Sequence, residues 1–302
     1  MRRGKLLNPV WVRRIAAGLV LLAAALVIAL CVRLFQKGKP EGDSDIQVKW
    51  ENSDTLEVED LYNGLMTIPK FDAERNTYDL QKFAKENGGR VTYPGAKTGI
   101  DVSSHQQEID WAEVKKSGID FAMVRVGYRG MTEGGLFEDE FFRRNVQGAL
   151  DHEIAVGVYF FSQAVSQEEA KAEADFVLDA IREFDIRYPV VFDWELIPVA
   201  EDAETPRTDH VKLREIANLA DAFCREIEAG GKTAAFYTNK HLGYEAYDLG
   251  LLKNYEMWYA DYNDKPSFYY QFDMWQYTEA GEVPGINTAV DLNLSFKDYA
   301  AE

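Results

Sequence analysis

From residue 99 onward, short runs suited to β-strands alternate with runs carrying apolar residues at spacings of three and four. This alternation limits the fold more than any other feature of the chain. The runs 99–103, 121–128, 155–162, 189–196 and 233–238 are rich in Val, Phe and Tyr. Between them, 111–117, 138–152, 167–184 and 210–229 read as amphipathic helices. Strands joined through helices run parallel, because the helix returns the chain to the edge where the last strand began. Later the rhythm changes: 256–262, 273–277 and 289–294 read as strands with too little chain between them for long helices. Five strand–helix units plus three strands over about 200 residues predict an irregular, TIM-barrel-like β/α barrel. An open doubly wound sheet is the alternative, since pattern alone does not show closure; no G-x-G-x-x-G or Walker A motif supports nucleotide binding.

The sharpest local feature is Val190-Val191-Phe192-Asp193-Trp194-Glu195, a buried-strand pattern that ends in two carboxylates at i and i+2. Side chains alternate across a strand, so Asp193 and Glu195 share a face, with α-carbons roughly 6–7 Å apart. In a poorly solvated cleft each raises the proton affinity of the other. One can then stay protonated near neutrality and act as a general acid. Glycosidic cleavage needs that pairing: a proton for the leaving oxygen and negative charge beside an oxocarbenium-like centre. The spacing leaves retention and inversion both open. An isolated D-x-E at a strand end more often caps the next helix or faces solvent; here the context matters.

Asp101 in the first strand and Asp291 in the last occupy corresponding places. In a closed barrel the first and last strands are neighbours and active sites form at the C-terminal strand ends, so four carboxylates can meet in one pocket. Taken singly, either aspartate reads equally well as a turn former. Aromatic residues gather at the same ends: Tyr128, Tyr159, Phe160, Phe161, Tyr237, Trp258, Tyr259, Tyr262, Trp275 and Tyr277. Sugar rings pack their C–H faces on such rings, although any one of these residues is at least as readily explained as core.

These pieces, in order, carry a resemblance to glycoside hydrolase family 25, the Chalaropsis-type lysozymes or N-acetylmuramidases, over about residues 98–299. The matching segments are Gly99-Ile100-Asp101-Val102-Ser103 with Gln106, Ile109-Asp110-Trp111, residues 121–128, Gly157-Val158-Tyr159-Phe160, Asp193-Trp194-Glu195, Tyr237-Thr238, Trp258 with Ala260 and Tyr262, Trp275-Gln276-Tyr277, and Val290-Asp291-Leu292-Asn293. The resemblance implies hydrolysis of the β-1,4 bond between N-acetylmuramic acid and N-acetylglucosamine in the glycan strands of peptidoglycan, without metal or cofactor. It implies Glu195 as proton donor, and Asp193 as the residue that orients the substrate's acetamido group for internal attack with retention. Asp101, Asp291, Tyr128, Tyr159, Tyr237, Trp258, Tyr262, Trp275 and Gln276 are the expected substrate-binding residues. Asn287-Thr288 stands where a glycine-containing turn is usual, and 196–209 forms an acidic, proline-containing loop.

The N-terminal third follows another logic. Residues 1–40 hold eight Lys/Arg and no Asp/Glu, so the net charge of −18 is concentrated, and deepened, in the remainder. A body that acidic argues against nucleic acid as partner. The uncharged apolar run 15–32 spans about 27 Å as a helix, close to the hydrocarbon thickness of a bilayer. Arg2, Arg3, Lys5, Arg13 and Arg14 precede it, which favours a cytoplasmic N-terminus and an extracytoplasmic body. The organisation read from sequence is therefore a basic segment 1–14, a transmembrane anchor 15–32, a stalk 33–60, a lead-in 61–97 with a short helix near 79–87, and a barrel 98–302. A cleaved signal peptide with secretion is the alternative, though no A-x-A-like site closes the run.

Three other functions compete. A binding module that holds peptidoglycan without cutting it would not need both Asp193 and Glu195. An amidase or peptidase would need a metal cluster or a Cys/His pair, but the cysteines (Cys31, Cys224) and histidines (His105, His152, His210, His241) show no metal-ligand spacing. A structural envelope role would suit the anchor equally well.

Overall fold

The computed structural model describes residues 46–86, 89–197 and 204–301. The basic segment, the apolar run 15–32 and the first part of the expected stalk lie outside the described residues. Among the described residues no helix is long and apolar enough to cross a membrane.

Residues 46–60, expected as stalk, instead enter a three-stranded antiparallel sheet of β1 (Gln47–Glu51), β2 (Thr55–Asp60) and β3 (Gly64–Pro69). Leu56, Val58 and Ile68 are buried, while Glu57 and Glu59 alternate with them on the other face. A polar average hides that period of two. The helix expected near 79–87 is a single 3-10 turn at Leu80–Lys82, capped by Asp79, whose carboxylate accepts from the Gln81 amide at 3.0 Å. The chain then pairs β4 (Ala84–Lys85) with β5 (Val91–Thr92).

The remaining strands close a barrel. They are β6 (Lys97–Val102), β7 (Phe121–Arg129), the short β8 (Leu136–Glu138), β9 (Ala155–Ser162), β10 (Val190–Trp194), β11 (Ala234–Asn239), β12 (Glu256–Ala260), β13 (Met274–Gly281) and β14 (Val290–Ser295). The order is β6-β14-β13-β12-β11-β10-β9-β7, and β7 pairs back onto β6, which excludes the open sheet. Around the ring the pairs are parallel except those of β14, which runs antiparallel to β13 and β6, while β8 lies outside the ring as an antiparallel hairpin on β7. The helices α1 (Trp111–Lys116), α2 (Phe142–Asp151), α3 (Gln167–Ile181), α4 (Ile216–Ala229), α5 (Lys240–Glu245) and α6 (Leu249–Leu252) fill the connections as far as β12. The helix expected over 138–152 begins later, at Phe142, because Glu138 ends the hairpin strand β8. Gly127 permits this pairing, since a Cβ there would lie 2.1 Å from the Phe137 carbonyl oxygen.

Strand alternation divides the core in two. Val190, Phe192 and Trp194 face outward into the helix layer, whereas Val191 and Asp193 face the barrel interior. Inside, the N-terminal strand positions are apolar: Phe121 stacks on Tyr188 at 4.5 Å, with Met123, Val191, Ala235, Met274 and Tyr299 around them. Nearer the C-terminal strand ends polar side chains enter the interior: Asp101, Arg125, Asp193 and Gln276. An apolar plug below a polar mouth therefore places the chemistry at one end of the barrel.

The N-terminal segment packs against the later strands. The Tyr78 hydroxyl donates to the Phe272 carbonyl at 2.7 Å and its ring stacks on Phe296. Asp60 accepts from Lys240 at 2.9 Å, and Phe83 meets Trp275 edge-on at 5.3 Å.

Candidate active site

Strand β10 delivers Asp193, and Glu195 follows immediately after its last residue. Trp194 between them points the other way, its indole N–H donating to the Ala164 carbonyl at 3.3 Å, which fixes the strand end. Asp193 is 5% exposed, and its Oδ1 is a buried acceptor with no hydrogen-bond partner. Glu195 is half-buried at the rim. Burial pushes the Asp193 carboxyl well above the usual carboxylate range, the charges of Glu195 and Asp101 add to this, and Arg125 opposes it. Glu195 is raised as well, first by burial and then by Asp101. A hydrogen bond between the two carboxyl groups raises Asp193 and lowers Glu195.

Antiparallel pairing of β6 with β14 sets Asp101 directly opposite Asp291. Asp101 Oδ2 accepts from Gln276 Nε2 at 2.9 Å and from Asn293 Nδ2 at 2.8 Å. Burial raises Asp101 to about 6 despite those donors. Asp291 is raised to about 9 by burial, then by the charges of Asp101 and Glu279. Asp291 also hydrogen-bonds Asp101, so the Asp101–Asp291 pair holds a proton more readily than free carboxylates do.

The expected aromatic residues take different places around the site. Tyr237 and Tyr262 both donate hydroxyl hydrogens to Gln276 Oε1, at 2.8 and 3.1 Å, and so extend the chain that ends on Asp101. Tyr159 is brought to the cluster: burial and then the Asp101 charge raise its hydroxyl. Tyr128 sits exposed at the rim, stacked on Phe137 at 5.4 Å. Trp258 is fully buried; its N–H donates to Asn293 Oδ1 at 2.8 Å, so it reaches the site through Asn293.

Trp275 is a correction. It is adjacent to the inward Gln276, hence on the opposite face of β13, and is fully buried against Phe83 and Tyr277 with its N–H on the Asp261 carbonyl at 3.0 Å. Phe160, Tyr259 and Tyr277 are buried in the same outward layer. Gln106 is also structural: its Oε1 accepts from the Ser103 amide at 2.9 Å in a capping box.

Two residues of the site carry a sequence signal that aromatic clustering does not reveal. Arg125 is a charge flanked on both sides by apolar residues of β7 and has the inward parity of Met123. Its guanidinium lies 2.7 Å from buried Asp139 and donates to Ser104 Oγ at 3.1 Å. Among the described residues it is the cation that acts on Asp193. Asn293 stands two residues after Asp291, on the same face, and links Trp258 to Asp101. Among the described residues no group of His, Cys, Asp or Glu is arranged to hold a metal ion. Cys224 is buried in α4, donates to the Ala235 carbonyl, and has its thiol pushed up by burial, which suits a small core residue.

A closed barrel with an Asp–Glu pair at its C-terminal mouth presents the two carboxyl groups that glycoside hydrolysis uses. The sequence matches Glycosyl hydrolases family 25 over residues 100–286, and the chain belongs to that family. It is 27% identical over 202 residues to the uncharacterized protein YegX of Escherichia coli K12, covering 65% of this chain and 68% of that one. It is 23% identical over 196 residues to the autolytic lysozyme of Clostridium acetobutylicum, covering 65% of this chain and 54% of that protein. The structure of the modular autolysin LytC of Streptococcus pneumoniae, solved with a synthetic peptidoglycan ligand, superposes with a TM-score of 0.58 at 20% identity, over 83% of this chain and 58% of LytC. The chain thus spans little more than half of these last two proteins, and the likeness to LytC is one of fold.

Proposed function

We propose that the protein is an N-acetylmuramidase that hydrolyses the β-1,4 bond between N-acetylmuramic acid and N-acetylglucosamine in peptidoglycan. The observation that carries this reading is the Asp193–Glu195 pair, Asp193 buried and Glu195 half-buried beside it, at the mouth of a family 25 barrel. Glu195, the more exposed member, gives its proton to the leaving glycosidic oxygen. Asp193 accepts the N–H of the substrate's acetamido group, whose carbonyl oxygen attacks the anomeric carbon to form a cyclic cation. Ionised Glu195 then takes a proton from the water that opens it, with net retention. Tyr128, Tyr159, Tyr237 and Tyr262 bound the groove, Trp258 supports it from behind, and Gln276 and Asn293 hold Asp101 in place. The test is product analysis: peptidoglycan treated with the protein, reduced with borohydride and examined by mass spectrometry. Reduced muramic-acid ends establish the reaction; reduced glucosamine ends, or uncut glycan, overturn it.

The charge arrangement also fixes a pH effect. Asp101 raises the proton affinity of both Asp193 and Glu195, so Asp101→Asn lowers the pH at which the pair loses its shared proton. The alkaline limb of the kcat/KM profile is expected to move to lower pH. A limb left in place would mean that Asp101 does not act on the pair.

We further assign residues 15–32 as a single-pass anchor with the barrel on the extracytoplasmic side. The support is the uncharged apolar length of that run and the basic residues preceding it. A tether would confine cutting to wall close to the membrane. Full-length protein is expected in the membrane fraction of cells, released by detergent and not by salt. Recovery from the medium as a shortened species would instead establish signal cleavage.

A further inference from the structure

The family match begins at residue 100, yet residues before it form one wall of a cleft beside the candidate site. This cleft, about 380 Å³ in volume, lies between the β4–β5 ribbon, the segment after β12 and the β13–β14 hairpin. Lys85, Tyr262, Asn263, Asp264, Thr278 and Glu282 line it. Its volume falls within the range of ligand sites. Tyr262 belongs to both cleft and catalytic mouth, since its hydroxyl reaches Gln276 and, through it, Asp101. A branch leaving a glycan strand bound across the mouth would meet this cleft at Tyr262.

We propose that the cleft is a subsite for the peptide stem of the muramoyl residue, a short chain bearing free carboxylates and an amine. The proposal rests on the muramidase reading. The lining carries charges of both signs, and Tyr262 is the exposed ring among its aromatic residues, Tyr277 being buried. Such a surface fits a zwitterionic peptide better than a further sugar, which would want aromatic platforms. The cation is available at low cost. Lys85 pairs with Asp264 at 2.6 Å, but both side chains are more than half exposed, and such pairs contribute little to stability. Lys85 can therefore exchange Asp264 for a stem carboxylate, leaving Asp264 and Glu282 to face the stem amine.

The test compares kcat/KM of the full-length protein on peptidoglycan with intact stems and on the same glycan stripped of peptide by an amidase. Lys85→Ala is expected to lower the ratio of stem-bearing to stripped activity about threefold, in line with one exposed charge contact. Ala280→Trp is the second variant. Ala280 is exposed on the cleft wall, so a bulky ring there fills the cleft while leaving the Lys85–Asp264 pair alone. It too is expected to lower the ratio. An unchanged ratio in both variants, or equal losses on both substrates, would overturn the subsite. If the unmodified protein cuts neither substrate, the muramidase reading fails instead.

Discussion

Replacing Glu195 with glutamine is expected to lower kcat by about 10²- to 10⁴-fold, the contribution typical of a positioned general acid, with little change in KM. Glutamine keeps the shape of the side chain and its polar reach but holds no transferable proton. The residue is half-buried at the rim, beyond the last hydrogen-bonded pair of β10, so the strand does not depend on it. The variant also removes one of the acids crowded around Asp193, so its thermal unfolding midpoint should equal or exceed that of the unmodified protein. Glycan binding, followed by co-sedimentation with insoluble peptidoglycan, should persist. A variant that keeps a tenth or more of the activity would remove Glu195 from proton transfer. A variant that loses binding and thermal stability together would point to a structural role.

The reason this pair could be read from sequence is geometric. Asp193 and Glu195 have the same parity on a strand whose other residues are apolar, and parity survives any uncertainty in tertiary structure. Closure of the barrel then explains why Asp101 and Asp291 meet: they are register partners on adjacent strands. The same parity rule exposes the error over Trp275. Trp275 and Gln276 are neighbours on β13, so they cannot both line one pocket; Gln276 faces the acids and Trp275 faces Phe83. Tyr259 beside Trp258 and Phe160 beside Tyr159 divide in the same way. Clustering of aromatic residues at strand ends marks the region and leaves the face undetermined.

The N-terminal layer was less legible because its signals are short. β2 offers two apolar residues, Leu56 and Val58, among acidic ones, and its stability comes from β1, β3 and contacts made more than 170 residues away, such as Lys240 with Asp60. A composition window sees polar chain; the tertiary partners make it sheet. Arg125 is hard to read for the opposite reason. It sits in a motif that reads as pure core, and its meaning emerges when the bulge between Arg125 and Gly127 and the Asp139 partner are seen together.

Asp193→Asn should separate activity from stability. The unmodified carboxyl is buried, and its Oδ1 has no hydrogen-bond partner, a costly arrangement unless a ligand supplies the donor. The acetamido N–H is such a donor, and a carboxylate there also offsets the positive charge that forms on the substrate during internal attack. Asparagine offers an acceptor but no charge, and a loss of roughly 10²- to 10³-fold in kcat is expected, comparable to removal of one electrostatic contact to a transition state. Stability should move the other way. The folded protein holds the Asp193 proton more tightly than the unfolded chain does, so its stability falls as pH rises from the ordinary carboxylate range towards the raised value. Asparagine has no proton to lose, and its advantage in melting temperature should widen with pH over that interval. Scanning calorimetry and kinetics on the same preparation decide the matter. Lower activity with lower stability would make Asp193 a packing residue, whereas lower activity with higher stability identifies a group kept at a cost to the fold because the reaction uses it.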